Sequence, residues 1–160
     1  MPEVFAERGA LVLVSAVVEA ECRRLLDPGE GEAAFRRDRE LIVVFLIYNP
    51  TVSPDKTFDI EVDYHLFRRD GAAPAESPSR DGGHPPARAG ERYVTRTTPQ
   101  RFKPATMGSD YDPITGPILA GQGILLSSFQ EGDYRLGITV TDLMSRHSLS
   151  RDVTFTVVGL

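Results

Sequence analysis

Strict alternation of apolar and polar side chains constrains this chain more than any other feature. In "EGDYRLGITVTD" (131–142), Tyr134, Leu136, Ile138 and Val140 fall on one face, while Arg135, Gly137, Thr139 and Thr141 fall on the other. A period of two is the mark of a strand with one buried face. The same period runs through "FDIEVDYHLF", where Phe58, Ile60, Val62, Tyr64 and Leu66 oppose Asp59, Glu61, Asp63 and His65. It returns in "RDVTFTV", where Thr154 and Thr156 separate Val153, Phe155 and Val157. "LIVVFLIY" (41–48) is apolar on both faces, as in a strand covered on both sides or central in a sheet. Its β-branched and aromatic content, and the "NP" that follows, favour strand over buried helix.

Further strands are expected at 10–20, 91–97 and 123–128. That makes about seven strands bounded by turn chemistry, the pattern of an all-β antiparallel sandwich. A single domain over 1–160 accommodates them. The only helical candidate is 30–38, "EGEAAFRRD". Residues 70–90 hold four Pro, four Gly and five Ala with no large apolar side chain. Such a segment buries too little to offset its ordering entropy. It is expected to be a long, disordered, dispensable loop whose ends lie close together. Residues 104–122, with Met107, Tyr111, Ile114 and Leu119, are expected to form an ordered crossover on the sandwich edge.

Charge and length exclude several functions. The net charge is −5, against nonspecific nucleic-acid binding, which needs cations to neutralise phosphates. All of the 18 basic residues but Lys56 and Lys103 are Arg, scattered among acids. The longest apolar run, 41–48, is far short of the roughly 20 residues of a membrane helix. Cys22 is the only cysteine, so no internal disulfide forms. The "RR" after it is placed to lower its pKa, but a bland free thiol is the simpler reading. "ALVLVSAVVEA" (10–20) has the apolarity of a short signal core, yet its acidic flank "MPEVFAERG" fits poorly. The segment reads better as the first strand, and one able to add to a partner's sheet.

At the entry to 133–141, Gly132 permits a sharp turn. Tyr134 then stands where immunoglobulin-like sandwiches place a Tyr that bonds back to the preceding corner. The last strand, 150–158, would pair with this one as a hairpin through "DLMSRHSLS". The whole run "GILLSSFQEGDYRLGITVTDLMSRHSLSRDVTFTV" (123–157) resembles the C-terminal immunoglobulin-like domain of uncharacterised exported bacterial proteins, some of which carry a GWxTD domain. Those domains follow a "PLxSFxxGDYRLxIxVTDxxSGxxxxRxVxFxV" pattern. The upstream "FLIYNP" and "TTPQRFKP" look similar too, so the resemblance spans much of 41–158. It departs at "SRHS", where the pattern has a Gly turn, and the chain has no Trp and hence no GWxTD motif. The resemblance implies an immunoglobulin-like fold and an extracytoplasmic setting, periplasmic or cell-surface. It implies no activity. The weak signal segment leaves the cytoplasm open.

Motifs for chemistry are sparse. His65, His84 and His147 show no metal-ligand spacing, and no GxSxG elbow occurs. Asp110 and Asp112 in "GSDYDPITG" could contribute oxygens to a Ca²⁺ site. Carboxylates also populate turns because they cap local backbone groups, and the full EF-hand spacing is missing. Phe67 and Tyr93 are the aromatics available for a sugar platform. The expectation is therefore a noncatalytic interaction or structural module without a cofactor, binding a protein partner or a second copy through an edge strand or loop. The alternative is a carbohydrate or Ca²⁺ module, and an enzyme with an unrecognised site comes last.

Overall fold

A computed structural model describes residues 12–19, 33–71, 74–75 and 84–159. The described residues form an all-β sandwich of nine strands: β1 (Val12–Glu19), β2 (Ala33–Arg36), β3 (Glu40–Tyr48), β4 (Ile60–Arg69), β5 (Glu91–Arg96), β6 (Gln100–Phe102), β7 (Ile118–Leu125), β8 (Gly132–Asp142) and β9 (His147–Val158). Sheet A has the order β1-β3-β7. Sheet B has the order β2-β9-β8-β4-β5, with β6 also paired to β4. No helix among the described residues is long and apolar enough to cross a membrane.

One core joins the two sheets. Leu41, Val43, Phe45 and Ile47 of β3 and Ile118, Ala120 and Ile124 of β7 face Ile60, Val62, Tyr64 and Leu66 of β4 and Tyr134, Leu136, Ile138 and Val140 of β8. Phe45 and Tyr64 meet across the layers at 6.2 Å. The alternations in β4 and β8 thus point inward as read. The doubly apolar run of β3 is the centre of sheet A, between β1 and β7.

Three expectations are corrected. Residues 33–36 of the helical candidate are strand β2, parallel to β9, so sheet B is mixed rather than purely antiparallel. Phe35 explains the change: it is buried, and packs edge-to-face on Phe155 at 6.3 Å. Burying that ring outweighs the local helix propensity of Glu and Ala. Residues 37–38 of the candidate form a turn, and 30–32 lie outside the described residues. Second, Gln100–Phe102 pairs with β4 as an additional short strand. Third, the strand expected at 123–128 begins earlier, at Ile118, and ends in a 3-10 turn over Leu126–Ser128. Leu119 therefore belongs to a strand, while Met107 and Tyr111 of the crossover pack on the core. β1 is the edge strand of sheet A, paired with β3 on one side.

The 70–90 segment divides. Its two ends do meet, with Asp70 N and Gly71 N donating to Gly90 O at 2.7 and 3.1 Å. Residues 84–90 form a strap against the outer face of sheet B, where Ala87 is buried. Residues 72–73 and 76–83 lie outside the described residues.

Candidate interaction surfaces

Gly132 and Tyr134 shape the corner into β8. Gly132 has φ of +145°, a conformation costly for other residues, and a Cβ there would stand 3.2 Å from Arg68 Nε. The Tyr134 hydroxyl donates to the Gln130 carbonyl at 2.7 Å, across the corner it follows. Burial pushes the phenol's pKa up, although Arg68, Arg92 and Arg37 pull it back.

Asp112 works inside its own turn. One carboxylate oxygen accepts from Ile114 N and the other from the Thr115 hydroxyl, both at 3.0 Å. These bonds hold its carboxyl below the usual range. Asp110 sits in the adjacent turn and is exposed. Among the described residues no group of three or more His, Cys, Asp or Glu is placed to hold a metal ion. Cys22 lies outside the described residues. His147 opens β9 at the hairpin.

Phe67, expected to be exposed, is fully buried. The cover is an ion-pair cluster that sequence reasoning missed. Arg135, on the outward face of β8, is only 6% exposed and its partner Glu91 only 7%. The guanidinium donates Nε and Nη2 to the two Glu91 oxygens, each at 2.7 Å. Nη1 reaches Asp152 at 3.1 Å, and the group lies over the Phe67 ring at 4.1 Å. The strap closes the cluster: Arg88 Nη2 donates to Asp152 at 2.8 Å, and Arg88 N to Glu91 at 3.2 Å. Glu91's carboxyl is held below its usual range, first by the Arg135 bonds.

Beside the cluster, Tyr93 gathers two of the histidines. His84 stacks on its ring at 3.6 Å, and His65 Nδ1 lies 3.4 Å from its hydroxyl. Burial pushes the pKa of His65 down, with Arg96 and His84 acting the same way against Asp63. Phe67 and Tyr93 meet at 5.5 Å, edge to face. Phe67 is thus unavailable to a sugar, and Tyr93 is stacked within the chain.

The outer face of sheet A is different. The half-buried side chains of β3 there are Ile42, Val44, Leu46 and Tyr48. On β7, Leu119 stands opposite Leu46 and is 63% exposed, and Leu125 is 68% exposed. Gly121 and Gly123 stand opposite Val44 and Ile42, so β7 adds no side chain beside those two residues. β7 itself, "ILAGQGIL", carries no charge. Its edge is partly covered, because Gln100 Nε2 donates to Gly121 O at 2.6 Å.

A groove of about 380 Å³ opens between sheet B and the connection from β7 to β8, lined by Arg68, Arg92, Val94, Thr95, Ser128, Phe129, Gln130 and Tyr134. In sequence, the chain matches no protein-family model and no curated protein.

Proposed function

We propose that this protein is a noncatalytic, immunoglobulin-like β-sandwich that docks a protein partner through the outer face of sheet A. The apolar strip Ile42, Val44, Leu46, Tyr48 and Leu119 carries this reading. Apolar patches left in solvent mark interaction sites when they are contiguous, whereas single exposed apolar residues need no explanation. β7 itself carries no charge, and the one carboxylate beside it, that of Glu40, stands over Gly123 at the Leu125 end of the strip. The immunoglobulin-like assignment is supported by two packed sheets, a terminal β8–β9 hairpin and the Tyr134 bond to its corner. The resemblance that suggests this fold also suggests an extracytoplasmic setting, which a compartment-sensitive reporter fused to the chain would test.

The docking test is a Leu119→Lys/Leu125→Lys double variant. Both side chains are mostly exposed, so the fold should lose no more than about 0.5 kcal/mol. Wild type is expected to self-associate in light scattering, or to capture a protein from its native extract, and the variant to do neither. A wild-type protein that is strictly monomeric and captures nothing refutes the proposal.

A further inference from the structure

We propose that the groove beside β5 binds an extended, carboxylate-bearing segment of a partner protein. The inference is independent of sheet A's outer face and starts from a mismatch in sheet width. Among the described residues sheet B has six strands to sheet A's three, and the groove at its β5 end is lined by no residue of sheet A. The register places Arg92 opposite Arg68 and Arg68 opposite Tyr134, in one row across β5, β4 and β8. The next row toward the centre, Leu66 and Leu136, is core. At the row beyond it, the chain carries guanidinium groups where a covered sheet would carry apolar side chains.

The charge in the groove is not balanced locally. Its lining includes two Arg and no acid. Arg68 donates Nη1 to Gln130 Oε1 at 2.5 Å and Nη2 to Glu131 O at 3.0 Å, both neutral acceptors that hold the group without cancelling its charge. Arg92 Nε is 3.9 Å from Asp70, at the limit of an ion pair, and its side chain is largely in solvent. Arg37 stands close by, with Nη2 donating to Ser127 O at 3.2 Å. Its buried Nε has no hydrogen-bond partner among the described residues. Arg68 and Arg92 line the groove together with Tyr134. This basic corner belongs to a protein of net charge −5.

The shape selects a peptide. Phe129 and Tyr134, edge to face at 5.5 Å, give the groove an apolar floor, and Val94 adds an exposed apolar wall. No strand among the described residues pairs with the outer edge of β5. A bare edge accepts an extended backbone, while pockets beside it read alternate side chains. The irregularity opposite Leu66/Phe67 and the charge of Arg92 discourage an apolar or basic strand, while Arg96 is already paired with Asp63 at 3.1 Å. A segment whose side chains carry carboxylates meets those same charges favourably.

The probe is a fluorescein-labelled peptide of about seven residues alternating Glu and Val, with a Lys/Val peptide as control, titrated by anisotropy into the full chain. Saturable binding of the Glu peptide alone is expected. It should weaken about tenfold in Arg92→Glu and again when salt rises from about 50 to 300 mM. Val94→Glu, which puts a like charge on the groove wall, should weaken it too, and melting curves establish that both variants are folded. Amide exchange of Val94–Arg96 should slow on binding, while Leu119→Lys leaves affinity unchanged. The proposal is overturned if the Glu peptide does not bind or if Arg92→Glu binds equally well. Displacement by inorganic phosphate without amide protection overturns it too, since that describes a bare anion site. Loss of binding in Leu119→Lys would move the peptide to sheet A and equally overturn it.

Discussion

Replacing Glu91 with Gln isolates the energetics of the cluster that roofs sheet B. Glu91 accepts two short bonds from Arg135, and both side chains are almost excluded from water. Gln keeps one acceptor oxygen and turns an amide N–H₂ toward a guanidinium that can only donate. One charge-assisted bond, worth about 1.5–3 kcal/mol, is lost outright. The guanidinium is also left short of countercharge; stripping one partner from a buried pair costs about 3–5 kcal/mol. Asp152 tempers this, because it still accepts from Nη1 at 3.1 Å and is itself partly in solvent. The expected loss is therefore about 2–3 kcal/mol, a large part of a typical total of about 5–15 kcal/mol. It should appear as a lower urea midpoint at unchanged slope, and as a fall in Tm of roughly 4–12 °C. A Glu91→Leu/Arg135→Met double variant removes both charges and should be milder than Glu91→Gln alone. A loss below about 0.5 kcal/mol for Glu91→Gln would mean the pair behaves as an exposed one. The strap would then not exclude water, and the reasoning fails.

Three other outcomes are expected. Tyr134→Phe removes the bond to Gln130 O and orphans that carbonyl, so stability should drop by about 1–2 kcal/mol in urea unfolding; no change would mean water replaces the hydroxyl. Burial holds His65 below its ordinary 6.5, so its contribution is complete above pH 6.5. It declines as pH falls below that value, because the unfolded chain takes up a proton that the folded one refuses. His65→Gln should flatten this limb of the Tm–pH curve between about pH 6.5 and 5, above the range where the carboxylates protonate, and an unaltered limb refutes the assignment. Replacing 76–83 with a short Gly/Ser linker should cost no more than about 1 kcal/mol, since closure entropy varies with the logarithm of loop length. Removing the buried Ala87 together with the exposed Arg88, by extending the replacement through 89, should cost at least about 2 kcal/mol more, and equal costs would show that the strap contributes nothing.

Much of the sandwich could be read from the chain because a strand's two faces are written locally. The alternation through Ile60–Leu66 and Tyr134–Val140 specifies what turns inward wherever the sheet is built, and the doubly apolar 41–48 declares a central strand. Gly132 before Tyr134 was legible for the same reason, as corner and anchor lie within a few residues. The outward faces were not decided in this way. Arg135 and Phe67 occupy positions that read as solvent-facing, and 84–90 reads as loop because it lacks large apolar side chains. Burial there depends on Glu91 reaching Arg135 over 44 positions in sequence. It depends equally on a strap folding back so that Arg88 meets Asp152, 64 positions away. β2 is a strand only because β9 offers Phe35 a ring to pack against. The groove beside β5 forms where Arg68 and Arg92 of sheet B meet Ser128–Gln130, segments far apart in the chain whose meeting no local pattern encodes. Alternation is a one-dimensional property and the sequence alone determined it; which face is covered, and by what, is a property of the layers, and only the tertiary structure decided it.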